Sequence, residues 1–335
     1  MKKKNVVVIG GGTGTHTVLQ GLKQHHDRIN ISAVVTMADS GGSTGRLRDE
    51  FGYLPVGDVR MALVALASEV DEHEELLRKL FMHRFERGGD LSGHNFGNLF
   101  LVALTDILGS EEEAIKVAGK LLRVMGTVVP VTTEKINLVA TYDDGVVVVG
   151  EHDIDEPVKN RVNNSIVNIS VTPRATISDS AKKVITEADL LVLGPGDLYT
   201  SLLANCVVAG VREVIGKSSA KVVYVSNLMT KNGQTSGMGV QEHVSEIVKY
   251  TSREIDYLVV NNTFLPEDLL KNYARSQEFP VLMNVDPQQV SFKVIATDLL
   301  SSAKVEKVNG DVLRRSLIRH DPKKLASVFL DIVCH

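Results

Sequence analysis

Tryptophan is absent from the 335 residues, and cysteine occurs only twice, at Cys206 and Cys334. Two cysteines cannot build a disulfide framework, and neither stands at metal-ligand spacing from other ligand types. A reducing cytoplasm is therefore the expected location. Proline is sparse, and no linker rich in Pro, Gly and Ser divides the chain. An excess of basic charge is missing too. The 37 Lys and Arg stand against 41 Asp and Glu, which argues against a dedicated nucleic-acid binder with its cationic footprint. No stretch approaches the roughly 18 uninterrupted apolar residues of a membrane span. Lys2, Lys3 and Lys4 precede an apolar run, but Val6–Ile9 stops at three glycines, too short for the core of a signal peptide. What remains is 43% apolar and 23% charged, the composition of a packed globular body, long enough for two ordinary domains or one large α/β unit.

Short β-branched runs alternate with helical patterns, which reads as βα units around a parallel sheet. The expected strands are Val6–Ile9, Ile31–Val35, Leu190–Leu193, Val222–Val225 and Tyr257–Val260, apolar on both faces as strands covered by helices should be. Val240, Val244, Ile247 and Val248 carry helical spacing. Ser110 with Glu113 reads as a capping box opening a helix to about Val124. Between Thr127 and Val171 the pattern turns β-rich, and Asp143-Asp144-Gly145 supplies a hairpin turn between Asn137–Tyr142 and Val146–Val149. The expected organisation is an N-terminal half over 1–126, a β-rich insertion over 127–175 and a C-terminal α/β half over 176–335 completing the same body.

In an open parallel sheet, ligands bind outside the carboxyl ends of the strands, so the segments that follow each strand carry the functional reading. Gly10-Gly11-Gly12-Thr13-Gly14-Thr15 follows the first. Its glycines admit a phosphate or sugar close to the backbone, and the helix behind offers free N–H groups. It is neither a dinucleotide fingerprint, because Thr15 stands where the last glycine is needed, nor a Walker A loop. Ala38-Asp39-Ser40-Gly41-Gly42-Ser43-Thr44-Gly45-Arg46 follows the second. Asp39 suits either ribose hydroxyls or a divalent cation held against phosphates, and Arg46 and Arg48 suit phosphate. After the third predicted strand, Gly194, Gly196, Asp197, Thr200 and Ser201 gather before a helix; Ser226-Asn227 and Asn261-Asn262-Thr263 end the next two. Of the 27 glycines, 14 fall in the patches 10–14, 41–45, 93–97, 194–196 and 233–239. The convergence points to a phosphorylated or polyhydroxylated ligand.

Asn95 and Asn98, in Gly93-His94-Asn95-Phe96-Gly97-Asn98, suit a nucleobase or sugar, with helix N-capping as the plain alternative. Asp321 followed by Pro322 reads as a helix start. Arg319 beside it is available to an anionic ligand or to a surface ion pair. No metalloprotease, nucleophile-elbow or kinase motif is present, so any catalysis would rest on positioning and electrostatics rather than a covalent nucleophile. The departed fingerprint demotes a nicotinamide dehydrogenase.

Val8-Ile9-Gly10-Gly11-Gly12-Thr13-Gly14, the 38–48 segment through Leu47-Arg48, Gly93–Asn98 and Gly194-Pro195-Gly196-Asp197-Leu198-Tyr199-Thr200-Ser201 together resemble the YvcK/CofD family, over about residues 5 to 333. The resemblance implies an α/β fold, a Rossmann-like three-layer parallel sheet with the β-rich insertion in the middle of the chain. It also implies a nucleotide-type ligand at the strand ends. In one branch the activity is Mg2+-dependent transfer of a 2-phospholactyl group from a guanosine diphosphate conjugate to a deazaflavin, with the acid matching Asp39 at metal and phosphate. The YvcK branch, which this sequence resembles more, implies a cytoplasmic binder of a UDP-N-acetylglucosamine-type nucleotide-sugar. That branch acts in cell shape and cell-wall synthesis under gluconeogenic growth, without established catalysis. The expected ligand contacts are Gly11, Gly12, Thr13, Gly14, Asp39, Ser40, Arg46, Asn95, Asn98, Gly194, Gly196, Asp197, Thr200, Ser201, Asn227 and Arg319. Asp39 doubles as a metal ligand. Cell-wall synthesis proteins and a second copy of the chain are the partners to look for. With 16 Tyr and Phe and no Trp, few rings are available to hold a deazaflavin.

Overall fold

The computed structural model describes residues 2–157, 161, 164–302 and 317–334. Seven strands form one parallel sheet: β1 (Lys4–Gly10), β2 (Ile29–Val35), β3 (Thr127–Pro130), β7 (Leu190–Leu193), β8 (Lys221–Val225), β9 (Tyr257–Asn261) and β10 (Lys293–Thr297). Their order is β10-β9-β8-β7-β1-β2-β3. A separate antiparallel sheet, β5-β4-β6, is made by β4 (Asn137–Tyr142), β5 (Val147–Val149) and β6 (Ile166–Thr172). The expected fold class is therefore the observed one, and all five predicted strands lie in the main sheet.

Two strands of that sheet were not anticipated in it. Thr127–Pro130 lies in the segment read as insertion, yet it pairs parallel with β2, Ser32 opposite Thr127. The separate sheet starts only at Asn137. Lys293–Thr297 adds the other edge, Lys293 opposite Tyr257. Both are edge strands, and β10 is only partly buried, so neither carries the continuous apolar run that marks a central strand.

The centre is dry. Val6, Val8, Ile9, Leu190–Leu193, Val223, Val225, Leu258 and Val259 are buried. The helix α1 (Gly12–Leu22) covers β1 with Val18, Leu19 and Leu22, and packs against the chain-terminal helix Pro322–Cys334. That approach needs Gly21, where a Cβ would lie 1.9 Å from the Pro322 carbonyl oxygen. Asp321 caps this last helix by accepting the Lys323 and Lys324 N–H groups, as its position before proline predicts.

On the same side, α2 (Gly42–Phe51) leads to α3 (Gly57–Leu66), which packs against α1, and α4 (Glu72–Met82), α5 (Phe96–Leu108) and α6 (Glu111–Leu121) pack on α3 in turn. Ser110 caps α6 by accepting the Glu113 N–H. The helix stops three residues short of the predicted end, just before Arg123 turns left-handed at φ 46°. The hairpin at 143–145 forms as expected, with Gly145 at φ 80° and the Tyr142 N–H donated to the Val146 carbonyl. The short helix α7 (Glu151–Asp155) leaves the hairpin and returns towards the main sheet.

Candidate functional site

Strand order reverses between β1 and β7. The strands β1, β2 and β3 run out to one side, and β7 to β10 to the other. A crevice opens outside the carboxyl ends at such a reversal, and it is where α/β sheets take ligands. Here it lies between the Gly10–Gly14 loop and the Gly194–Ser201 loop. The two loops touch. A Cβ on Gly14 would come within 2.1 Å of the Pro195 carbonyl oxygen, and the Gly12 position faces Ser201 Oγ. Asn227, at the end of β8, accepts the Gly196 N–H at 3.2 Å, joining a third loop to the wall. Gly11, Gly12, Thr13, Gly14, Gly194, Gly196, Ser201 and Asn227 thus belong to loops that come together at one edge of the sheet.

Carboxylates line the next part of the crevice. Asp39 Oδ1 accepts the Gly41 N–H, and Asp58 Oδ1 accepts the Gly12 N–H, both at 2.9 Å. Two glycines make the room. A Cβ on Gly11 would strike Asp58 Oδ2 at 2.2 Å, and one on Gly57 would strike Asp39 Oδ2 at 2.4 Å. Loss of water raises the Asp39 carboxyl above its usual range, against the pull of the Gly41 N–H, the Thr44 hydroxyl and Arg60. The Asp58 carboxyl is pushed up to about 7, first by burial and then by the Asp39 charge. Glu151 is raised well above its normal value by burial and by Asp39, Asp155 and Asp58. Like charges brought together out of water hold protons.

The insertion supplies Glu151 and Asp155. It is fastened by Ser40, whose hydroxyl accepts the His152 N–H at 3.0 Å. It is fastened again by Lys231, whose ammonium donates to Asp155 at 2.7 Å and Asp197 at 3.2 Å. Gln234 and Thr200 also donate to Asp155 Oδ1. Asp197 remains raised because burial outweighs the Lys231 charge. Asp39, Ser40, Asp197 and Thr200 therefore belong to one polar wall, but Ser40 and Thr200 spend their hydroxyls holding the insertion in place.

Four expected contacts lie elsewhere. Asn95 caps α5 by accepting the Asn98 N–H at 3.2 Å, the plain alternative to ligand binding. Asn98 is buried behind the crevice, accepting from Arg60 Nε at 2.8 Å and donating to Ser43 and Thr44. Arg46 is exposed and donates to the Ser92 carbonyl. Arg319 lies outside the glycine and carboxylate crevice, where its backbone carbonyl accepts the Ser301 N–H and its neighbour His320 pairs with the backbone of Ser226, a residue of the cleft beside Asn227.

Sequence reasoning missed Asp58, Arg60, Glu151, Asp155 and Lys231. Asp58 and Arg60 had a signal, since a Gly-Asp-Val-Arg start opens an otherwise apolar helix. Glu151 and Asp155 had none, because nothing in the insertion indicates where it docks. Beside Asn227 the edge continues into a cleft of about 440 Å3, lined by Asn261, Thr263 and Glu267 together with Val240, Phe264 and Met283.

The family described as 2-phospho-L-lactate transferase CofD matches residues 6–300. A protein of Aquifex aeolicus, provisionally named gluconeogenesis factor, is 42% identical over 99% of this chain and 98% of its own. The gluconeogenesis factors of Halalkalibacterium halodurans and Bacillus subtilis are 39% and 36% identical, each over 99% of this chain and 97% and 99% of theirs. The crystal structure of a UPF0052-family protein from Bacillus halodurans superposes with a TM-score of 0.86 at 37% identity, covering 98% of this chain and 99% of that one. With this agreement along nearly its whole length, the chain belongs to the CofD family.

Proposed function

We propose that this protein is a cytoplasmic binder of a UDP-N-acetylglucosamine-type nucleotide-sugar, and that it supports cell-wall synthesis and cell shape during growth on gluconeogenic carbon. The observation that carries the reading is the continuity of the strand-end crevice. Backbone N–H groups and glycines at the reversal suit a diphosphate. The adjoining 440 Å3 cleft, apolar with a few convergent polar groups, has the size and lining of a small-molecule site. The name gluconeogenesis factor carried by relatives similar over their full length supports the physiological part. Regulation would follow from a ligand that binds two states of a surface unequally.

The donor set fits a divalent cation such as Mg2+. Asp39 and Asp58 are hard oxygen ligands drawn away from water, and a cation would offset the burial that raises both. Among the described residues no three His, Cys, Asp or Glu side chains converge tightly enough to hold an ion, so phosphate oxygens and water would complete the shell, as is usual for Mg2+. That same pair favours one alternative, a phospholactyl-type transferase in which the cation neutralises phosphate charge. In either case Asp58 also orders the Gly12 N–H, and Arg60 offsets the carboxylates from behind.

Calorimetric titration with UDP-N-acetylglucosamine and with GDP, each with and without Mg2+, separates the readings. Saturable binding of the UDP-sugar without turnover is the expected result. Transfer from the guanosine conjugate to a deazaflavin would overturn it.

A further inference from the structure

The segment between α4 and α5 folds back on itself. Arg84 stands opposite Asn95 in an isolated antiparallel bridge, and Phe85 bonds through its backbone to Gly93 and His94. The returning arm turns at Gly93, held at φ 82°, and two arginines donate to consecutive carbonyls there. Arg46 Nη2, from α2, reaches the Ser92 carbonyl at 3.0 Å, and Arg84 Nη1 reaches that of Gly93 at 2.7 Å. Gly93 leaves the room, since a Cβ there would lie 2.9 Å from Arg46 Nη2. The His94 imidazole feels both guanidiniums. Burial first, then Arg46 and, against the opposite pull of Glu50, Arg84 lower its affinity for a proton. Among the described residues neither arginine has a carboxylate at ion-pair distance, and each spends a single N–H of its fork on the protein. The Arg84 Nε–H is closed off from solvent and meets no acceptor, a costly state for a charged donor.

We propose that Arg46 and Arg84 form a seat for a phosphate monoester, separate from the strand-end crevice. Guanidinium forks match phosphate oxygens in shape and charge. A phosphate monoester carries about two negative charges at neutral pH, enough to balance both guanidiniums, whereas a carboxylate balances only one. Arg46 is exposed and open to an incoming ligand, while Arg84 is half-buried in the folded-back segment and supplies the fixed side. The seat is not part of the crevice wall. The first turn of α2 joins the two places: the Thr44 hydroxyl bonds Asp39, and Ser43 Oγ lies 3.1 Å from His94 Nδ1. Asn98 donates to both hydroxyls and holds that turn in place.

The guanidinium Cζ resonances of the full chain, isotope-labelled in arginine, read the seat directly. Inorganic phosphate, methyl phosphate and acetate are titrated at about pH 7 and constant ionic strength. Arg46→Gln and Arg84→Gln identify the two signals by their loss. Both signals should shift together and saturably with either phosphate, along one binding curve, and stay still in acetate. Arg46→Gln should weaken the phosphate response of the Arg84 signal by about tenfold, because one charge-assisted contact is lost. Arg46→Lys, which keeps the charge without the fork, should recover only part of it. Movement of the Arg60 signal alone would put phosphate in the crevice and overturn the proposal. So would a shift of one signal without the other, an equal response to acetate, or an Arg46→Gln variant that binds phosphate as tightly as the wild type.

Discussion

Replacing Asp58 by Asn removes one charge from the crevice and little else. The side chains share a shape, and the amide oxygen can still accept the Gly12 N–H that Asp58 now takes at 2.9 Å. The native carboxyl holds its proton up to about pH 7, against 3.8 for an ordinary Asp, because of burial and then the Asp39 charge. Between those two values the native state keeps a proton that the unfolded chain has released. Stability therefore falls as pH rises from about 4 to 7 and levels off above. That displacement corresponds to about 4 kcal/mol, an upper bound because solvent reaches the outer edge of the group. At pH 8 the ligand-free Asn variant should be the more stable protein by up to that amount, a rise of several degrees in melting temperature. Near pH 4 the two should be nearly equal. Thermal or urea unfolding in a chelator, followed from pH 4 to 8, gives the comparison directly. Added Mg2+ with a diphosphate should then stabilise the wild type more than the variant. A stability difference that does not change with pH, or a variant less stable at pH 8, would refute the argument that burial beside Asp39 raises the Asp58 carboxyl.

Two further substitutions separate packing from charge. Gly14→Ala drives a methyl towards the Pro195 backbone and should lower stability by several kcal/mol, whereas Gly42→Ala, at φ 48° in open space, should cost only about 1 kcal/mol by backbone strain; unfolding curves of the pair check the contrast. Lys231→Met removes the cation between Asp155 and Asp197 and should loosen the insertion by about 1–3 kcal/mol, less than for a fully buried pair because water reaches these groups. Hydrogen exchange should then quicken across 151–155 while the central strands stay protected, and equal protection throughout would contradict the bracing role.

The central strands and the glycine loops were legible because each is a local pattern. An apolar run is followed by residues with no side chain to obstruct a ligand, and parallel topology then sends all such segments to one edge. Legibility failed where a role depends on pairing across the chain. Thr127–Pro130 reads like neighbouring insertion strands, and only its partner β2 assigns it to the main sheet. Asn95 and Asn98 belong to a glycine-rich motif, but their donors and acceptors are used by the start of α5 and by Arg60. Arg46 was chosen as the phosphate cation from its neighbours in sequence, while Arg60, inside an apolar helix, is the arginine whose charge reaches Asp39 and Asp58.

The contact between Gly14 and Pro195 makes the two halves of the crevice unequal partners. One side is built from loops pressed backbone to backbone, with the Gly12 and Gly196 N–H groups tied to Asp58 and Asn227, so its shape is set before any ligand arrives. The opposite side is braced at its polar end by Ser40, Thr200, Gln234 and the Lys231 ammonium, while Ile154, Ile166 and Ile169 anchor the insertion in the core. Recognition at the rigid side can be lock-like, whereas the insertion side can adjust only where its polar bonds meet the crevice.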